Sequence, residues 1–197
     1  MTTDALLVMD VQNGVVDRIA EQAGPLLAVL TTTMAAARGA GVPVIYVRVA
    51  FRPGASEVSP NNRIFSNVAG LGAMGESDPV TQVHDAVAPQ HGDVVVTKRR
   101  VSAFAGSDLD VVLRSLGIDS LVLTGIATSG VVLSTLRQAA DLDFELTVLR
   151  DGCVDADSEV QSVLMDKVFP RQAFVTSSKE WIAGLRRRAA DAGPTTG

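Results

Sequence analysis

Two residues stand where apolar runs end and chemistry could begin. Ala5-Leu6-Leu7-Val8-Met9 stops at Asp10, and Val94-Val95-Val96-Thr97 stops at Lys98. A carboxyl group at such a place is pulled two ways: burial among apolar side chains raises its pKa, and a nearby ammonium lowers it. Brought together, the two groups make a proton-transfer unit whose balance is set by desolvation. They also read as a plain ion pair closing a sheet end, and spacing alone leaves both readings open.

The stretch 50–79 supplies candidate ligand contacts. It is rich in Gly, Pro, Ser and Asn and carries Arg52, Asn61, Asn62 and Arg63. Arginine suits a carboxylate because its fork donates two parallel hydrogen bonds. Phe51, Phe65 and Phe104 could wall a pocket or belong to the core. A segment this long without regular structure is functional or mobile in a compact domain. It leaves the C-terminal end of a strand, the end where open α/β sheets bind ligands. It is read here as a loop covering a substrate, with a surface excursion or oligomer contact as the other reading.

These residues need a scaffold, and the chain alternates to provide one. Apolar runs of strand length occupy 5–9, 43–49, 94–97, 120–124 and 146–149, with a weaker one at 173–176. Helical patterns fall at 15–40, 80–87, 108–115, 130–140, 159–168 and 179–188. Continuous apolar strands between amphipathic helices predict a parallel sheet covered on both faces. Gly39-Ala40-Gly41-Val42-Pro43 ends the first long helix. Ser107 is placed to cap the helix that Asp108 and Asp110 begin. One domain over 1–188 is expected, then a disordered tail over 189–197.

Composition narrows the function classes. The 197 residues are 47% hydrophobic and 20% charged, which fits a globular protein with a large core. Aromatics are only 4%, so Val, Leu, Ile and Ala build that core. The net charge is −5, and no basic cluster suggests nucleic acid. Arg186-Arg187-Arg188 falls in the last turn of a helix, where cations complement the dipole. No run is long enough to cross a membrane, and no signal-peptide layout opens the chain. The single cysteine, Cys153, excludes an internal disulfide, and together these features favour the cytoplasm. The two histidines, His84 and His91, read as surface residues, and no Gly-rich phosphate motif follows a strand, so neither metal nor cofactor is expected.

A family resemblance sharpens the reading. Leu7-Val8-Met9-Asp10-Val11-Gln12-Asn13 resembles the opening strand of the isochorismatase-like hydrolase superfamily. The run from Lys98 through Ser102-Ala103-Phe104 to Ser107-Asp108-Leu109 resembles its second signature. Leu123-Thr124-Gly125-Ile126-Ala127-Thr128-Ser129-Gly130-Val131-Val132, followed by Thr135 and Ala139, is similar to the third. Leu146-Thr147-Val148-Leu149-Arg150-Asp151-Gly152 resembles the strand that follows. The signatures occur in order and span nearly the whole chain.

The resemblance implies a three-layer α/β/α fold with a mainly parallel six-stranded sheet. It implies Asp10 as acid/base, Lys98 as its partner, and a cis peptide at Ile126-Ala127. Substrate contacts are expected from Gln12, Arg52, Phe104, Ala127, Thr128 and Gly130. A small-molecule substrate and a homo-oligomer are the partners it suggests.

Most relatives in that superfamily are amidases with a cysteine nucleophile activated by the Asp. Laid without gaps on their Gly-Val-Ala-Thr-x-x-Cys-Val pattern, this chain has Val131 at the cysteine; a shift by one puts Gly130 there. Neither can act as a nucleophile. True isochorismatases also lack the cysteine: they protonate the enol carbon of a vinyl ether and add water. Where they carry Tyr-Ala-His, this chain has Ala127-Thr128-Ser129. The expectation is therefore a hydrolase without a cysteine nucleophile. A silent binding or scaffold protein and an amidase with Cys153 as a relocated nucleophile are the alternatives. Thr128 and Ser129 read as helix caps, and Ser134 as a packed residue.

Overall fold

The computed structural model describes residues 3–69 and 74–191. Six strands, β1 (Asp4–Met9), β2 (Val44–Val49), β3 (Val94–Lys98), β4 (Ser120–Ile126), β5 (Glu145–Val154) and β6 (Phe174–Thr176), form one sheet in the order β3-β2-β1-β4-β5-β6. Every pairing is parallel. The fold is the expected three-layer α/β/α architecture.

Side-chain alternation along the strands explains the layers. Leu7, Met9, Ile45, Val47 and Val96 enter one apolar cluster with Leu109, Leu113, Leu136 and Leu164. Leu6, Val8, Val44, Tyr46 and Val122 enter the other with Leu26, Leu30, Met34 and Trp181. Helices α4 (Leu109–Ser115), α5 (Leu133–Asp141) and α6 (Ser158–Val163) therefore cover one face. Helices α1 (Asn13–Val16), α2 (Ala20–Gly39) and α7 (Ser178–Asp191) cover the other.

Several boundaries differ from expectation. The first helical run breaks at a 3₁₀ turn, Asp17–Ile19, where Ile19 turns to φ −120°, ψ 33° before α2 begins. The helix expected over 80–87 is replaced by 3₁₀ turns at Pro79–Thr81 and Asp85–Val87. Its backbone bonds instead to the exit of β1: Asn13 N donates to Gln82 O at 3.0 Å and His84 N to Val11 O at 2.9 Å. Inside the long excursion lies an unforeseen helix, α3 (Arg63–Ala69). Strand β5 continues through Cys153 by a register shift against β4. The Asp151 carboxylate accepts from Ser178 N at 2.7 Å and Ser178 Oγ at 2.6 Å, capping α7. Helix α7 runs three residues past the expected domain end, and the rest of the expected tail, 192–197, lies outside the described residues.

Candidate active site

In this all-parallel order successive strands are added outward in opposite directions from the β1–β4 pair, which opens a crevice beyond their C-terminal ends. Asp10 is the first residue past β1. Its backbone is left-handed, φ 56°, a conformation Asp tolerates better than most residues, and its N–H donates to Val47 O at 2.8 Å. Lys98 ends β3, which lies two strands away, and its side chain passes the end of β2 to bring Nζ within 2.8 Å of Asp10 Oδ2. The ammonium also donates to Val101 O at 2.8 Å.

The pair is buried, Lys98 being 1% exposed and Asp10 8%. Burial pushes the Asp10 carboxyl above the usual carboxylate range, while the charge and hydrogen bond of Lys98 pull against it. Asp10 Oδ1 is buried and has no hydrogen-bond partner. A carboxyl in this state can hold a proton and hand it on from its free oxygen.

The end of β4 forms the opposite lip. The Ile126–Ala127 peptide is cis. A π-helical turn, Thr128–Val132, then leads into α5. Ser129 N donates to Asp155 Oδ2 at 2.7 Å, so Asp155 caps this turn and Ser129 supplies only its backbone. Thr128 is buried, but its Oγ1 has no partner and makes no cap, contrary to the capping reading.

Val131 is 2% exposed and belongs to the apolar cluster that contains Met9, Ala103 and Phe104. Its side chain packs within that cluster. Open space lies at Gly130, where an added Cβ would meet only Ala127 Cβ, at 3.9 Å.

The remaining expected contacts divide. Phe104 is buried in the core beside Phe144, ring centroids 6.0 Å apart, so it is a core residue. Gln12 is a scaffold clamp: its Nε2 donates to Val49 O (2.9 Å) and Thr81 O (2.8 Å), and its Oε1 accepts from Val49 N (2.8 Å). Both amide hydrogens are taken, leaving none for a ligand. The Arg52 side chain is 65% exposed and reaches Glu57 at 3.8 Å; it lines a cleft of about 470 Å³ between the arms of the excursion, with Phe51, Met74 and Glu76. Asp10, Lys98 and Val131 do not line that cleft. Asn62 caps α3 by accepting from Phe65 N at 3.0 Å, and Asn61 and Arg63 are exposed. Phe51 and Phe65 stack edge to face at 5.3 Å in a small cluster with Val101 and Met74, next to the turn that holds the lysine.

Cys153 is buried on β5 and its thiol is pushed up to about 12, chiefly by desolvation. His84 Nδ1 accepts from Ala86 N at 3.2 Å within its own turn, and His91 is exposed. Among the described residues no cluster of His, Cys, Asp and Glu could hold a metal ion.

Residues that sequence reasoning passed over are the partners of the lysine turn. Arg99 donates to Ala50 O, contacts Glu57 at 3.2 Å and pairs with Glu76. Arg100 donates to Glu57 O at 2.8 Å. The arginine doublet directly after Lys98 was the available signal.

Comparison with known proteins decides the family. The isochorismatase domain matches residues 4–180. The chain belongs to the isochorismatase family. YecD of Escherichia coli O157:H7, an uncharacterized isochorismatase family protein, is 31% identical over 93% of this chain and 96% of its own. Ureidoacrylate amidohydrolase RutB of Pseudomonas syringae is 36% identical over 79% of this chain and 72% of its own. Among solved structures, an isochorismatase family protein from Burkholderia thailandensis matches with TM-score 0.80 and 30% identity, over 93% of this chain and 96% of that one. N-carbamoylsarcosine amidase from Thermoplasma acidophilum matches with TM-score 0.73 and 26% identity, over 90% and 97%. The protein is thus an isochorismatase-family hydrolase, with the buried Asp10–Lys98 pair at the crevice of its sheet.

Proposed function

We propose that this isochorismatase-family protein hydrolyses a small molecule without a cysteine nucleophile, using Asp10 as acid/base and Lys98 as its partner. The observation that carries the reading is the buried pair, with Asp10 raised by desolvation and its Oδ1 free. Protonated Asp10 donates its proton to the substrate, and the Lys98 ammonium stabilises the carboxylate left behind. Water then attacks the activated carbon, and Asp10 takes back a proton from that water. The net change is addition of water and cleavage of one bond. No covalent intermediate is needed, which suits a position where Val131 stands in place of a thiol.

The similarity to RutB and to N-carbamoylsarcosine amidase favours a C–N bond of a carbamoyl or amide compound over a vinyl ether. Cys153 does not suit the relocated role, because a thiol held near 12 and bonded toward Leu123 O stays protonated at neutral pH. A second reading, a silent binding protein, draws on the close burial of Lys98, Val131 and Thr128.

The deciding experiment screens small amides, carbamoyl compounds and enol ethers with wild type and Asp10→Asn. Turnover by the wild type that falls about 10²–10⁴-fold in the variant supports the acid/base role. A wild type inert across the panel, with a variant that only melts earlier, supports the binding protein.

A further inference from the structure

We propose that the Ser102-Ala103-Phe104 turn is a positioning device for the lysine, and that Thr135 and Gln138 on α5 hold it in place. The catalytic consequence rests on the proposed acid/base role of Asp10; the positioning does not.

The chain of contacts is short. Lys98 has three N–H donors, and the described contacts use two, one to Asp10 Oδ2 and one to Val101 O, both at 2.8 Å. Val101 O is therefore the one backbone group of the turn that touches the ammonium. The next residue, Ser102, donates its hydroxyl to Gln138 Oε1 at 2.7 Å. Ala103 N donates to Thr135 Oγ1 at 2.9 Å. Phe104 N and Ala105 N turn back onto Ser102, at 3.3 Å to Oγ and 3.2 Å to O. Ala103 and Thr135 are fully buried, and Phe104 anchors the turn in the core cluster. The carbonyl that aims the ammonium is thus clamped to α5, the helix that follows the Thr128–Val132 turn. Two side-chain hydrogen bonds, one of them fully buried, fix where the lysine head can stand.

Other charges do not compete for this role. Arg99 and Arg100 point their guanidinium groups at Ala50 O, Glu57, Glu76 and Arg99 O. On α5, Thr135, Gln138 and Ser134 are neutral, and Arg137 bonds Gln172. On β5, Asp151 is taken by Ser178. Among the described residues Lys98 is the only cation in ion-pair reach of Asp10.

The test needs no substrate. The Asp10 carboxyl is followed by ¹³C NMR across pH in wild type, Thr135→Val, Thr135→Ser, Gln138→Met and Ser102→Ala. Loosening the turn weakens the hold of Lys98 on the carboxylate. The Asp10 titration is then expected to move up by about half a unit to one unit in Thr135→Val and Gln138→Met. Thr135→Ser, which keeps the hydroxyl, should titrate like wild type. Ser102→Ala leaves the Thr135 bond intact and carries the test if Thr135→Val fails to fold. An unmoved titration in folded variants overturns the proposal and leaves the turn merely structural. Where a substrate is turned over, kcat should fall by up to about a hundredfold with KM little changed. A moved titration without turnover in any protein would count against the proposed function alone.

Discussion

Gly125 and Met9 approach so closely that a Cβ on Gly125 would stand 2.1 Å from the Met9 carbonyl oxygen. The two residues are paired across β1 and β4, and Asp10 follows Met9 directly. This contact sets the width of the crevice at the point where the carboxyl leaves the sheet. Gly125 also sits at φ 140°, a backbone conformation that side chains rarely adopt. Gly125→Ala is expected to cost at least about 3 kcal/mol in urea unfolding, because rigid backbone blocks the new methyl. A variant as stable as wild type would mean that the strands part without penalty.

The raised Asp10 carboxyl predicts a pH signature. The folded protein binds more protons than the unfolded chain between the unfolded value, about 3.9, and the higher folded value. The Asp10 contribution to stability therefore falls as pH rises through that window. Asp10→Asn removes this part of the slope. It also leaves Lys98 buried without its counter-ion, at a cost of about 3–5 kcal/mol. Denaturation of both proteins at several pH values measures the two effects separately, and parallel pH curves would contradict the raised carboxyl.

Cys153 should be silent in the native state. Its thiol is buried and pushed up to about 12, so at neutral pH almost no thiolate is present. Iodoacetamide is expected to leave the folded protein unmodified and to label one site after unfolding. Rapid labelling of the native protein would show that the strand end opens.

Installing a thiol tests which position, Val131 or Gly130, matches the cysteine of the amidase relatives. With Cys153→Ser as background, Val131→Cys and Gly130→Cys place a thiol at the gapless and the shifted position. A thiolate stabilised by its surroundings at the catalytic position should react faster than a free thiol at pH 7. The gapless alignment predicts Val131→Cys as the responder even though that side chain is buried in the core cluster, with a small cavity cost of up to about 1 kcal/mol. Reaction by Gly130→Cys alone would move the alignment by one residue.

What could be read in advance, and what could not, follows physical lines. Strands β1 to β5 were legible because a sheet buried on both faces demands unbroken apolar runs. That Asp10 and Lys98 would meet was legible from their places at strand ends, although their chemical role is not contained in that proximity. Local bonding was opaque. Gln12 looks like a ligand contact in sequence, yet its amide ties β2 to the turn before Val83. Asn62 looks like a substrate contact and caps a helix. The segment 80–87 has a helical pattern, but the backbone groups leaving β1 claim its hydrogen bonds. Partners far apart in sequence decide these cases, and a local pattern does not name them. The Thr135–Ala103 bond spans 32 residues and was invisible for the same reason.

Lys98 belongs to the outermost strand of its half of the sheet, while Asp10 directly follows an interior one. Edge strands are secured along one side only and are the readiest to detach in local unfolding. When β3 detaches, its lysine leaves with it, and Asp10 remains in an otherwise intact sheet facing no cation. The pair is therefore expected to open before the core that surrounds it. Mild heat or denaturant should disperse it while the fold, by any global probe, is still standing.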